Sequence, residues 1–301
     1  MNLSKFRTLR RTVPGVLIVA ACLFAGESAF AQSTAPRVYA VMSLIGDSLF
    51  VSPYLNATAS GSRVIAKGLD GWDSHSMRTG SHLSPQQDLE TPVKDTAYDD
   101  AAAAAIAASV KQREPGAVVE TLSARNTAFY GLQDRLFDNS SAGRDGRDAL
   151  KAMLKEHKVA YLIVVTKRRT NVEMLADSRA FADAQLRLLT GSSGDVLRLE
   201  GIGFYVDDAV LVQSLKTLDR STGVLASFVN ITVRLVDAKT LDVVREQTAS
   251  KSRIIAISKP TEAGFSAWDE ATDTQKSDSL RELIQTTMAA VTPQLLGSRA
   301  P

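Results

Sequence analysis

The chain has one cysteine, Cys22, three histidines and two tryptophans in 301 residues. One cysteine cannot close a disulfide within its own chain, so this is not a disulfide scaffold. The histidines are His75, His82 and His157, and none lies in the last 144 residues. That leaves little material for histidine-based catalysis or metal binding. No charge sign dominates, with 35 Lys and Arg against 33 Asp and Glu. The chain therefore lacks the basic footprint that nucleic acid selects. Apolar runs are short. The longest, Val16–Ala25, is about half of the roughly 20 residues that a membrane-spanning helix needs. What is present is ordinary: 45% hydrophobic residues, 23% charged residues and a mean hydropathy of −0.04. That is the composition of a folded globular protein rather than a disordered one.

The first 31 residues read as a leader. Lys5, Arg7, Arg10 and Arg11 precede the apolar run, and Ala29-Phe30-Ala31 follows it before Gln32. A basic segment, an apolar segment and an A-x-A triplet form a secretory signal, with cleavage expected between Ala31 and Gln32. A rival lies in the same stretch. Val19-Ala20-Ala21-Cys22 resembles a lipobox, which would make Cys22 a lipid anchor. The apolar run continues past Cys22, which favours cleavage at Ala31. Loss of the leader removes four basic residues and one acid, leaving 31 basic against 32 acidic and no cysteine. A thiol-free mature chain suits an oxidising compartment, so the expected location is periplasmic or secreted.

Residues 32–301 contain no Pro- or Gly-rich linker and no internal repeat, and are read as one domain with loop insertions near 56–94, 176–194 and 260–277. Val38–Leu44 and Leu49–Val51 flank Gly46-Asp47, which predicts a hairpin. Thr96 and Asp99 have capping-box spacing ahead of an alanine-rich helix over Ala101–Val110, which Pro115-Gly116 ends. Ala117–Leu122 is expected as a short buried strand. Helices are expected over Phe129–Phe137 and Asp148–His157. The uninterrupted apolar run within Val159–Thr166 predicts a strand covered on both faces. Val196–Asp207 is a further strand. Leu225–Asp237 and Leu241–Ile257 form a hairpin about Asp237–Thr240, with Ile231, Val233 and Leu235 buried and Asn230, Thr232 and Arg234 solvated. Ser279 and Glu282 have capping-box spacing for a last helix, which Pro293 should kink or end. Elements in this order predict an α/β (α+β) fold, with a mixed, largely antiparallel sheet and helices packed on it.

Gly46-Asp47-Ser48-Leu49 resembles the nucleophile block of GDSL esterases, which would make Ser48 a nucleophile. The partner histidine and the Gly-x-Asn-Asp block of that family are missing, and a hairpin turn accounts for the same residues. Asp70, Asp73, His75 and His82 match no metal-ligand spacing and read as a polar loop. Gly201-Ile202-Gly203 lacks the third glycine of a dinucleotide fingerprint. Lys167-Arg168-Arg169 follows an apolar strand; it could receive an anion, or it is a solvated strand end. His157 suits a helix C-terminus. Phe265 and Trp268 are expected to pack. No catalytic set, cofactor site or metal site is assigned.

Ala160–Val165, followed later by Ala226–Thr240 and Leu241–Val244, resembles the strand and hairpin of CsgG-like and LpoB-like envelope proteins. That resemblance implies a non-catalytic α/β domain that binds another envelope component or itself. The function expected is thus a periplasmic interaction or assembly module. The alternatives are a Ser48 esterase and a periplasmic small-ligand-binding protein.

Overall fold

The computed structural model describes residues 36–54, 89–124, 128–138, 141–172, 183–190, 197–257 and 267–297. The leader, with Cys22, Ala31 and Gln32, lies outside them. So do Asp70, Asp73, His75, His82 and Phe265.

Ten strands and four α-helices are described. The strands are β1 (Val38–Leu44), β2 (Ser48–Tyr54), β3 (Leu89–Pro92), β4 (Val118–Leu122), β5 (Tyr161–Lys167), β6 (Arg169–Val172), β7 (Leu186–Thr190), β8 (Leu197–Ser214), β9 (Arg220–Asp237) and β10 (Val243–Ile257). The helices are α1 (Ala97–Arg113), α2 (Phe129–Leu132), α3 (Arg144–Glu156) and α4 (Asp273–Leu296). The sheet is mixed and largely antiparallel, with parallel pairing only between β1 and β4, β1 and β5, and β2 and β8.

β9 organises the sheet. β10 pairs with it from Val224 to Val236. On the opposite edge β8 pairs with β9 as far as Asn230, and β5 takes over from Ile231 to Asp237. β8 and β5 therefore lie end to end along one edge of β9. The next layer repeats the pattern, because β2 pairs with β8 and β1 pairs with β5. β1 and β2 run in the same direction, one after the other, interrupted at Ile45–Asp47. This corrects the expected hairpin. Gly46-Asp47 carries the chain onward within one row, from the strand beside β5 to the strand beside β8, instead of reversing it.

Side chains alternate into two cores. Tyr39, Val41, Ile163, Val165, Ile231 and Val233 face α1 and α4, where Ile106, Val110, Leu280, Ile284 and Met288 cover them. Ala40, Met42, Leu162, Val164 and Val236 face the opposite way, toward Leu150 and Leu154 of α3 and toward Leu136. Helices on both faces explain why β5 is apolar without interruption from Leu162 to Val165. A third cluster, Phe50, Tyr205, Phe228 and Val224 with Leu199 and Val212, lies under the β8 half.

Several expectations change on the same grounds. Asn230 and Thr232 are buried rather than solvated, because β9 is central and covered on both sides. β4 is an edge strand and is only partly covered. Phe129–Phe137 forms only the four-residue α2. Thr96 is the N-cap of α1, but no side-chain cap bond forms; its hydroxyl donates to Asp100 at 2.7 Å. α4 starts six residues before Ser279, where Thr272 and Gln275 make the capping box. Ser279 instead lies 3.1 Å from the Ser227 hydroxyl on β9. α4 runs on past Pro293 to Leu296, held by the buried Val291 and Leu295 on either side.

Candidate functional site

Asp47, Ser48 and Lys167, three of the polar residues that the sequence singles out, converge between β5 and β2. Lys167 ends β5, and Ser48 opens β2. Lys167 Nζ donates to Ser48 Oγ and lies 2.6 Å from Asp47 Oδ1. Ser48 Oγ in turn donates to Glu90 Oε1 of β3 at 2.5 Å. The Lys167 side chain is only 8% exposed. Its stem passes over Gly201, where a Cβ would sit 2.7 Å from Lys167 Cγ. Gly201 also has φ +64°, a left-handed conformation that glycine adopts without strain. One glycine thus admits both the bend at the foot of β8 and the lysine above it.

The step between β1 and β2 is held from below by Asp99 of α1. Its Oδ1 accepts from the amides of Ile45 at 3.0 Å and Gly46 at 3.1 Å. Its Oδ2 accepts from the Tyr130 hydroxyl at 2.6 Å. Burial pushes the Asp99 carboxyl above its usual range, while these bonds pull it back. Burial and the neighbouring Asp99 charge push the Tyr130 phenol up as well. Gly46 has no room for a side chain, since a Cβ would lie 2.5 Å from Asp99 Oδ2. Asn230, fully buried on β9, ties the other side: its Nδ2 donates to the carbonyls of Arg168 at 2.7 Å and Leu199 at 3.1 Å. Asn230 Oδ1 is buried without a hydrogen-bond partner.

The chemistry of this cluster is that of a clasp. Lys167 donates to Ser48 and meets the Asp47 carboxylate, so the end of β5 is tied to the start of β2. Arg169 is engaged elsewhere, with Nε 2.6 Å from Glu200 Oε2. The cluster 167–169 therefore binds internal carboxylates through two of its three members. His157 caps α3 and places Nδ1 2.8 Å from Glu120 Oε2 of β4. Trp268 is fully buried and packs edge-on to Phe204, with ring centroids 5.6 Å apart.

Sequence reasoning found Ser48 and Lys167 but not their meeting, which depends on the end-to-end strand rows. It missed Glu90 and Tyr130, and it read Asp99 only as a capping residue of α1. The signal for Asp99 was an acid one turn into an alanine-rich helix that is otherwise apolar on that face. Glu90 carried none. Removing the Ser48 hydroxyl in Ser48→Ala is expected to lower stability by about 1 kcal/mol, the usual worth of a part-buried hydrogen bond, as read by urea denaturation.

No family model matches the chain, and no curated protein does. Two solved structures are similar to it at low identity. One is a PelC dodecamer from Paraburkholderia phytofirmans, 10% identical over 86% of this chain and 89% of that chain, with a TM-score of 0.27. The other is a neuraminyllactose-binding hemagglutinin homologue from Helicobacter pylori, 7% identical over 87% of this chain and 86% of that chain, with a TM-score of 0.29. At these scores neither neighbour informs the fold or the function of this chain. No helix among the described residues is long and apolar enough to cross a membrane.

Proposed function

We propose that this chain is a non-catalytic protein of the bacterial envelope that works as an assembly module, joining copies of itself through the two edges of its sheet. Its placement in the envelope rests on the leader-like first 31 residues and on the resemblance to CsgG-like and LpoB-like proteins. The assembly reading rests on one observation. Exposed valines stand on opposite sheet edges at the same end of the molecule. Val118 of β4 is 43% exposed, and Val243 and Val244 of β10 are 39% and 50% exposed.

The registers align them. Glu120, Ala40, Leu162, Val236 and Val243 form one rung across the sheet, and Val118 lies two residues from it on β4. Among the described residues β10 pairs with β9 alone, so a row of backbone donors and acceptors faces outward. β4 and β10 run in the same direction. A second copy placed beside the first in the same orientation adds its β4 to β10 and brings Val118 against Val243 and Val244. A two-fold pairing of β10 with β10 instead puts the valine ends far apart. The head-to-tail arrangement is heterologous, so it builds a ring or a filament. Charged residues such as Arg245, Glu246, Lys251 and Arg253 and the two irregularities of β10 guard the rest of the edge against indiscriminate pairing.

Cysteine pairs test this. In a chain beginning at Gln32 the double variant Val118→Cys, Val243→Cys should give a ladder of disulfide-linked species on mild oxidation, and neither single variant should do so. A double variant that stays monomeric at every concentration would sink the edge-to-edge reading. The esterase alternative is separated by the Ser48→Ala variant: turnover of short acyl esters by the parent chain that disappears on this change would replace the assembly reading with a catalytic one.

A further inference from the structure

The β8–β9 hairpin ends in a feature that neither the core nor the sheet edges use. Leu215 and Leu218, at its tip, are 56% and 66% exposed, more than any other large apolar side chain among the described residues. The tip is held in a fixed shape. Leu218 N donates to the Ser214 carbonyl at 3.0 Å, and Ser214 N donates to the Asp219 carbonyl at 2.9 Å. Ser214 Oγ accepts from the amides of Lys216 and Thr217. Leu215 N donates to the Gln185 carbonyl at 2.9 Å, which braces the tip against the segment leading into β7. These leucines are therefore presented by a rigid turn.

Leu218 has φ +63°. That is the left-handed region, where a residue carrying a Cβ is disfavoured and glycine or asparagine is the ordinary choice. A leucine that is both in a disfavoured backbone conformation and two-thirds in water contributes nothing to this fold that glycine would not contribute better. Its side chain is what the position offers.

The surroundings say what it is offered to. Lys216, Arg220 and Arg187 are all exposed. Arg187, Gln213 and Arg220 form one rung across β7, β8 and β9, just behind the tip. Asp219 is the one acid in the turn, so the tip is apolar at its point and net cationic at its base. Leucines that dip below a headgroup layer while cations sit among the phosphates are the chemistry of an interfacial anchor on an anionic bilayer. Two leucines and a few cations give reversible binding rather than permanent insertion.

We propose that the 214–220 tip is a membrane-docking site that takes an anionic phospholipid surface. It lies on a different part of the chain from the β4 and β10 edges, so variants at one leave the other intact.

The test is flotation of the chain beginning at Gln32, whose described residues belong to one compact unit, Pro36–Pro301. Vesicles of equal parts phosphatidylglycerol and phosphatidylcholine are compared with vesicles of phosphatidylcholine alone. The parent chain should float with the anionic vesicles at least tenfold more strongly than with the neutral ones. The double variant Leu215→Ser, Leu218→Ser should lose at least tenfold of that binding. Lys216→Glu with Arg220→Glu should abolish the preference for anionic lipid. Leu218→Gly separates docking from folding: it should weaken flotation without lowering the thermal midpoint. A parent chain that floats with neither vesicle overturns the proposal, as does serine-variant binding equal to the parent's. Equal flotation with neutral and anionic vesicles overturns the anionic assignment.

Discussion

Asp99→Ala is expected to destabilise the fold by about 3 kcal/mol, since it strips the acceptor from two buried amides and a part-buried hydroxyl, and each orphaned buried group costs roughly 1–3 kcal/mol. For a domain of this size that is a fall in thermal midpoint of about 6–12 °C. The donors are the Ile45 and Gly46 amides and the Tyr130 hydroxyl. The first two lie in the step that joins β1 to β2, so the loss falls where β2 continues β1. Asp99→Asn keeps an acceptor for the amides and should cost much less. It also isolates the charge. Burial raises the folded-state value of the Asp99 carboxyl, so the folded chain holds this proton more tightly than the unfolded chain. The associated stability is fully present below the unfolded value of about 3.9 and is lost as pH rises through the folded value. Thermal midpoints taken from acid to neutral pH should show the parent losing ground to Asp99→Asn as the carboxyl ionises. Parallel pH profiles would refute the assignment of that charge to Asp99.

Trp268→Ala should have the largest effect of any single truncation, about 3–5 kcal/mol. The indole is fully buried and packs edge-on to Phe204, and it also carries a cation. Lys276 Nζ of α4 lies 4.1 Å from the ring centroid and 3.4 Å from Asp273 Oδ1, on a side chain that is 3% exposed. Removing the ring leaves this ammonium buried with one carboxylate, so the loss should exceed what packing alone predicts. Lys276→Met fills the space without a charge and should be close to neutral alone and stabilising in the Trp268→Ala background. Additive effects in that double-mutant cycle would rule out the cation–ring contact. Burial lowers the Lys276 value, with Asp273 opposing. The unfolded chain then binds the proton more tightly, and stability attributable to this group rises as pH passes from the folded value toward the ordinary lysine value near 10.4. Lys276→Met should remove that alkaline gain.

Local signals carried much of this fold. The uninterrupted apolar run Tyr161–Val165 within Val159–Thr166 announced a covered strand, and the turn at Asp237–Thr240 announced the β9–β10 hairpin. There Asp237 Oδ1 accepts from the amides of Lys239 and Thr240. What failed was non-local. Gly46-Asp47 carries the residues of a reversing turn, and only the pairing of β1 with β5 and β2 with β8 reveals a step. Asn230 and Thr232 alternate like a solvated face, yet strands and helices from distant segments cover them. Capping-box spacing occurs twice near α4, and the choice of Thr272 over Ser279 depends on the packing of Ala267, Trp268 and Ala271 ahead of the helix. The candidate site was half legible for the same reason: Ser48 and Lys167 stood out singly, while their clasp needs a junction that no short window contains.

The end-to-end strand rows also order events in time. β8, β9 and β10 follow one another in the chain and can pair as soon as residues 197–257 are available. β1 and β2, near the start, need β5 and β8 as partners, and those strands are themselves completed against β9. β1 and β2 can meet β4 and β3 early, yet they join the central sheet only after β5 and β8 have been made. A chain built this way closes its sheet only when β9, near the end of the sequence, is available to join the two halves.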